Sequence, residues 1–264
     1  GIEKTNVIGE YMNTRITGSV LALAVVAASN GLAQERDEKI EEVIVVSQAT
    51  TFANTVVSDS MKLQNSAITS VNDLIDNLPG VSVQEGDAFG FDDWSTAIAV
   101  RGFQTNLAEQ QVGSTIDGLP NGNSNYGGGS KANRYIDTAN LENIEVSQGT
   151  ADIASRSLES LGGTLNYVTQ NPEDKQRTRF QYVSGQFDSE RMYARYDSGI
   201  VGESTRLFVS FSHQEATDWM EGSAQNTRDH AAFKIVTGDD DMMFTGYVSY
   251  DDIHEDNYQR VYSK

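Results

Sequence analysis

The chain has 264 residues and a formal net charge of −19. That is long enough for one or two cored domains, and it offers no basic excess to hold a nucleic-acid backbone. Cysteine is absent, which excludes disulfides and thiolate metal sites. Hydrophobic residues make up 38%, below the usual globular share, and no run reaches the roughly 18 apolar residues of a spanning helix. A membrane role would have to rest on alternating strands, which barely raise hydropathy.

Residues 1–11 precede the first methionine, Met12. From there the chain reads as a secretory signal. Arg15 is the positive region, Val20 to Ala28 the apolar run, and Gly31 and Ala33 the small residues before a cleavage point at Gln34. Export without cysteine suits a periplasmic or outer-membrane destination. Residues 34–42 are charged and are expected to have no structure of their own. The β-branched run Glu42-Val43-Ile44-Val45-Val46-Ser47 follows. It is either the first strand of a domain or a free segment that adds to the sheet edge of a partner.

Ser70, with Asp73 at the capping-box spacing, opens an expected helix whose apolar face is Val71, Leu74, Ile75 and Leu78; Pro79-Gly80 stops it. Val81 and Val83 make a short strand. Residues 85–95 form a loop mixing Asp87, Asp92 and Asp93 with Phe89, Phe91 and Trp94. Ile98 and Val100 make a strand ending at Arg101-Gly102, and Val112 to Leu119 a strand into the Asp117-Gly118 turn. The Gly/Asn/Ser-rich stretch 121–133 has the length of a functional loop.

The run from Leu141 to Pro172 reads as strand, helix, strand. Ile144 and Val146 alternate with Glu145 and Ser147, and Gly149 ends that strand. Ala151, Ala154, Leu158 and Leu161 fall on one face of an expected short helix. Gly162-Gly163 permit close backbone approach, and Leu165, Tyr167 and Thr169 resume alternation. After Pro172 the period is two throughout. Apolar residues such as Phe180, Tyr182, Met192, Ala194, Val209, Phe211, Phe233, Phe244, Val248 and Tyr250 recur in about five runs. Short connections at 201–204 and 238–241 contrast with a long polar one at 215–229. Strands of the length that crosses a bilayer, with short turns on one side and long loops on the other, describe an outer-membrane barrel. A soluble antiparallel sheet with one wet face is the competing reading.

These residues resemble the TonB-dependent outer-membrane receptors. Glu42 to Ser47 looks like the TonB box, which in that family binds TonB by strand pairing. Leu78-Pro79-Gly80-Val81, Ile98 to Phe103 with Arg101-Gly102, and Ile116 to Pro120 with Asp117-Gly118 resemble plug motifs in order. Glu145, Gly149 and Gly162-Gly163 resemble the last plug motif. Two departures stand out. Gln148-Gly149-Thr150 replaces arginine-glycine-proline, and the tyrosine-glycine before the double glycine is missing. Arg156 is the expected substitute in the plug-to-barrel ionic contact.

The resemblance implies an α+β plug domain followed by the first antiparallel strands of a transmembrane β-barrel that is incomplete in this chain. The implied map is signal peptide and upstream residues 1–33, box and linker 34–60, plug 61–174 and barrel start 175–264. An open sheet of about five strands would leave edges unpaired in lipid, so the chain is expected to be the front of a longer protein. The implied partners are TonB, outer-membrane lipid and a scarce small ligand such as a ferric siderophore. Vitamin B12, haem and oligosaccharides remain open, and no cofactor is implied. Trp94, Gln104, Tyr126 and Lys131, on outward loops, are the candidate ligand contacts.

A periplasmic plug-like binding module without transport is the second class of reading. An enzyme is not expected. Gly127, Gly129 and Ala132 match a loose nucleotide pattern without its strand and helix. His213, His230 and His254 lack metal-ligand spacing, and Asp239-Asp240-Asp241 lacks the calcium-loop pattern.

Overall fold

The computed structural model describes residues 55–65, 68–87, 89–90, 95–122, 131–217, 225–239 and 241–256. The signal segment, the box Glu42–Ser47, Trp94 and Tyr126 lie outside them. All the described residues fall within one unit, Ser47–Lys264. No helix among them is long and apolar enough to cross a membrane, which does not bear on strands.

In chain order, β1 (Thr55–Val57) leads into a single-turn helix α1 (Asp59–Lys62). Then come β2 (Val81–Gln84), β3 (Ala97–Val100), β4 (Phe103–Thr105), β5 (Gly113–Ile116) and β6 (Leu119–Pro120). After two 3-10 turns, Ala132–Arg134 and Thr138–Asn140, the chain forms β7 (Leu141–Gln148) and β8 (Gly163–Thr169). These make two small sheets, ordered β1-β7-β8-β5-β6 and β2-β3-β4. All pairs are antiparallel except β5 with β8. Two hairpins turn on the motifs read from sequence: Arg101-Gly102 at φ 50° and 90°, and Asp117-Gly118 at φ 49° and 77°. Both are two-residue turns with positive φ at each position, the geometry that matches strand twist.

One apolar core joins both sheets. Val71, Leu74, Ile75 and Leu78 are buried in it with Val57, Ile98, Val100, Ile136, Ile144, Val146, Leu165 and Tyr167. The expected helix at 70–78 therefore buries the predicted face, but it is mostly turn, with one 3-10 piece at Asp73–Ile75. Its backbone bonds run three residues back, as in Ile75 to Asn72 and Leu78 to Ile75. Ser70 Oγ does cap it, accepting from the Asn72 and Asp73 amides at 3.0 Å each.

The expected helix at 151–161 is absent. That segment is turn and bend, and Ile153, Leu158 and Leu161 are exposed. Side chains supply the reason. Asp152 accepts from the Ala154 amide at 2.8 Å and Ser155 Oγ from the Ser157 amide at 3.2 Å. These local bonds compete with a helical ladder.

The second half is a meander of five antiparallel strands: β9 (Gln176–Ser184), β10 (Glu190–Ser198), β11 (Arg206–Thr217), β12 (Gln225–Gly238) and β13 (Met243–His254). β11 to β13 run 12, 14 and 12 residues, longer than a membrane crossing requires. The expected loop 215–229 is largely consumed by this growth. The two faces have opposite chemistry. Phe180, Tyr182, Val209, Phe211, Val248 and Tyr250 point outward and are exposed. Arg191, Arg195, Asp197, Ser210, Ser212, Gln214, Arg228, His230 and Lys234 point inward and are buried. Near the end with the longer connection the outward face becomes charged, with Glu190, His213, Glu215 and Asp229.

The double glycine sits where backbones nearly touch. A Cβ on Gly163, at φ 129°, would lie 2.0 Å from the Ser147 carbonyl, and one on Gly162 2.2 Å from Phe103 Cβ. Gly163→Ala should cost about 2–4 kcal/mol or prevent folding, read by denaturant unfolding in detergent. Gly122→Ala, also at positive φ but with nothing within 4 Å, should cost only about 1–2 kcal/mol.

Candidate functional site

The plug docks on the inner wall through the segment 132–140 and the end of β8. Asp137 is its hub. This carboxylate is fully buried. It accepts from an Arg191 Nη, from Ser212 Oγ at 2.7 Å, from Gln214 Nε2 at 2.9 Å and from the Ala139 amide at 2.8 Å. Burial alone would raise its pKa. The Arg191 guanidinium, then Arg228 and His230, with the Ser212 hydroxyl, outweigh burial and hold it at about 2. Arg228 in turn donates to Asp251 at 2.6 Å and His230 shares the same carboxylate at 3.0 Å.

Three further contacts flank this hub. Asn140 donates to Ser210 Oγ and accepts from the Tyr193 hydroxyl, both at 2.8 Å. Lys234 donates to the Thr169 carbonyl at 3.0 Å and hydroxyl at 2.7 Å, with Asp117 at 3.7 Å. Asp117 accepts from the Thr169 amide at 2.8 Å, so the Asp117-Gly118 turn is tied to the strand that leads into the wall. Arg195 forms a two-pronged pair with Asp197 at 2.6 and 2.9 Å and donates to Gln170 at 2.9 Å.

A second polar cluster lies inside the plug. Glu85 Oε1 accepts from Ser70 Oγ at 2.6 Å and from Asn72 Nδ2 at 3.3 Å. Asn72 also donates to Asn133 at 3.1 Å and accepts from the Tyr167 hydroxyl at 3.3 Å. Asn133 donates to the Gly90 carbonyl. Burial, with Asp73 and Asp87 adding, pushes the Glu85 carboxyl up to about 7 against the pull of Ser70 and Asn72. Burial also raises the Tyr167 phenol, which stays a donor.

The predicted site residues scatter. Gln104, in β4, is exposed; its amide donates to Gln111 Oε1 at 3.0 Å and its side chain accepts from Asn106. Lys131 is 1% exposed, at the entry to the 3-10 turn Ala132–Arg134. Arg101 lies along Gly149 and Gly80, the nearest approach being 3.1 Å from its Nη1 to a Cβ placed on Gly149. Glu145 accepts from Asn166 at 2.8 Å. Arg156 is exposed and forms no ion pair among the described residues; Asp137, Asp117 and Gln170 make the contacts expected of it. Sequence reading missed Asp137 and Glu85. Only an acid amid polar residues before β7, and one directly after β2, marked them.

A cleft of about 610 Å³ opens between the β5–β6 hairpin and β13, lined by Asp117, Leu119, Tyr135, Thr245, Tyr247 and Ser249 among others. Among the described residues, no three His, Asp or Glu side chains gather to hold a metal ion. The polar groups in both clusters bond mostly to one another, although the buried Arg191 Nε and His230 Nε2 have no hydrogen-bond partner among the described residues.

Two substitutions test these clusters. Asp137→Asn leaves buried guanidinium charge uncompensated and should cost about 3–5 kcal/mol, measured by unfolding in detergent. The wild-type contribution should be present above about pH 3.8 and fade as pH falls through about 2. Glu85 acts in the opposite sense. The folded state keeps a proton that the unfolded state releases near 4.5, so stability should fall by about 3 kcal/mol as pH rises from 4.5 through about 7. Glu85→Gln should flatten that slope.

Comparison with known proteins follows the same division. Residues 47–164 match the family described as TonB-dependent Receptor Plug Domain. The fold resembles the pyoverdine outer membrane receptor FpvA from Pseudomonas aeruginosa PAO1 at 20% identity and TM-score 0.59, over 75% of this chain and 27% of that one. The ferric yersiniabactin uptake receptor FyuA from Yersinia pestis matches at 19% and 0.53, over 75% and 31%. The siderophore receptor PirA from Acinetobacter baumannii matches at 13% and 0.59, over 78% and 32%. The chain thus spans about a quarter to a third of the length of these receptors. The matched stretch, residues 47–164, is thus similar to TonB-dependent receptor plug domains, and antiparallel strands follow it.

Proposed function

We propose that this chain is the plug and first wall strands of an outer-membrane receptor that imports a scarce ligand at the expense of TonB-transmitted energy. The supporting observation is the inverted polarity of the five-stranded sheet. Phe180 is 73% exposed and Val248 66%, while Arg195 is 1% and His230 1% exposed. In water such a sheet would expose apolar surface and desolvate charge. In a bilayer, with the plug inside, both faces are matched. A periplasmic module without transport has no use for the outward apolar band.

In this reading residues 1–33 are removed on export, 34–60 carry the box and linker, 61–174 form the plug and 175–264 begin the barrel. The protein resides in the outer membrane of a Gram-negative bacterium, with the plug reached from the periplasm. Glu42, Val43, Ile44, Val45, Val46 and Ser47 pair as a strand with TonB. Trp94, Gln104 and Tyr126 face the ligand, with the adjoining loops. A ferric siderophore is the ligand class favoured by the names of the similar receptors, which include a pyoverdine-bound and a ferric-yersiniabactin one.

Deleting residues 42–47 from the full receptor should leave binding of iron-loaded siderophore to whole cells intact and abolish its energy-dependent accumulation. Uptake that survives the deletion would overturn the coupling.

A further inference from the structure

Phe89 is a large apolar side chain of the plug that leaves the main core for the wall. It is 3% exposed, in a small cluster with Ala216 of β11, with Ile68 and Ile253 of β13 packed against it. Ala216 and Ile253 lie near the strand ends at the longer connection. Ile68 also reaches Gly185 in the turn between β9 and β10, where a Cβ would sit 2.5 Å from its Cδ1. The Ile68–Phe89 wedge therefore closes the seam between plug and wall at that end.

What holds Phe89 there is the Glu85 cluster. The next residue, Gly90, lies directly on the carboxyl: a Cβ on it would be 2.6 Å from Glu85 Oε1 and 2.9 Å from Ser70 Cβ. The Gly90 carbonyl is held by Asn133, whose own oxygen is held by Asn72. Phe89 is fixed from its other side by its amide, which donates to Asp87 Oδ1 at 2.9 Å.

We infer that the Glu85 carboxyl is a proton-controlled latch: protonated, it seats the Phe89–Gly90 turn and seals the plug against β11 and β13; ionised, it releases Phe89 and opens that seam. The groups bearing on Glu85 are Ser70 and Asn72, which hydrogen bond to it, and the acids Asp73 on the 3-10 turn and Asp87 beyond it. The Tyr167 phenol of β8 completes the set. A charge on Glu85 adds to Asp73 and Asp87 within a poorly solvated space, and burial already pushes its titration up to about 7. The latch would regulate access past the plug in the uptake reading, but its geometry does not depend on a ligand or on TonB.

The absence of cysteine from this chain, with any thiol in the remainder of the protein replaced by serine, permits a direct test. Ala216→Cys, in the intact protein in detergent, places a thiol beneath Phe89. Its labelling rate with a water-soluble maleimide is divided by that of the unfolded protein at the same pH, which removes the thiol's own titration. The ratio should rise about tenfold between about pH 5.5 and 8.5. It should stay low throughout in Ala216→Cys with Glu85→Gln, and high throughout with Phe89→Ala. A flat wild-type profile, or an identical rise with Glu85→Gln, overturns the latch. Should that variant not fold, Asp73→Asn decides. It should move the midpoint to lower ionic demand on Glu85, hence to lower pH, and an unchanged midpoint overturns the inference. No step uses uptake, so failure of the latch leaves the transport reading intact, and failure of transport leaves the latch intact.

Discussion

A sheet that turns arginine, lysine, histidine and aspartate inward needs an interior that answers them. Charged groups taken from water cost several kcal/mol each unless they are paired and hydrogen-bonded. In this protein the plug gives that answer. Asp137 sits opposite Arg191 and near Arg228 and His230. The Thr169 carbonyl and hydroxyl receive Lys234, and Gln170 and Asn171 receive Arg195. The wall could not keep its inward face without the plug, and the plug's segment 132–140 would have a buried carboxylate without a partner if the wall were absent. Plug and wall are one folding problem, even though they follow one another in sequence.

The outward face obeys the complementary rule. Its apolar band is continuous across the five strands, because antiparallel register sets Phe180, Ala194, Phe211, Ala231 and Tyr250 side by side, with Tyr196, Val209, Phe233 and Val248 in the next outward row. The strands run on past this band, where Glu190, His213, Glu215 and Asp229 face outward. In the proposed outer-membrane setting, the change from apolar to charged along one face marks the passage from lipid to water, and it lies toward the longer connection.

Much of this was legible in the residues. Period-two alternation located the wall strands, because it is a local property of a pleated backbone. Arg101-Gly102 and Asp117-Gly118 marked their hairpins because few residue pairs accept two positive φ values. The apolar face of Val71, Leu74, Ile75 and Leu78 was also readable, although the backbone beneath it is only partly helical. The stripe at Ala151 to Leu161 misled for a physical reason: Asp152, Ser155 and Ser157 bond to their own neighbourhood, and a helical spacing without a surface to bury against makes no helix. The roles of Asp137 and Glu85 were not readable from their local pattern. The partners of Asp137 lie 54 to 77 residues away, and nothing in local pattern encodes such contacts. Arg156 was chosen for its nearness in sequence to the expected motif, and the structure puts the contact elsewhere.

The central claim is that the five strands present their apolar residues to lipid and their polar residues to the plug. Single spin labels test it directly, since none of these 264 residues is cysteine and any thiol elsewhere in the receptor is first replaced by serine. Labels at Phe180, Phe211 and Val248 are compared with labels at Gln181, Ser210 and Ser249 in the full receptor in liposomes. The first three should collide freely with oxygen and be protected from a water-soluble nickel relaxant. The second three should be shielded from oxygen. Equal accessibility of the two sets, or nickel access at the first three, would contradict the account.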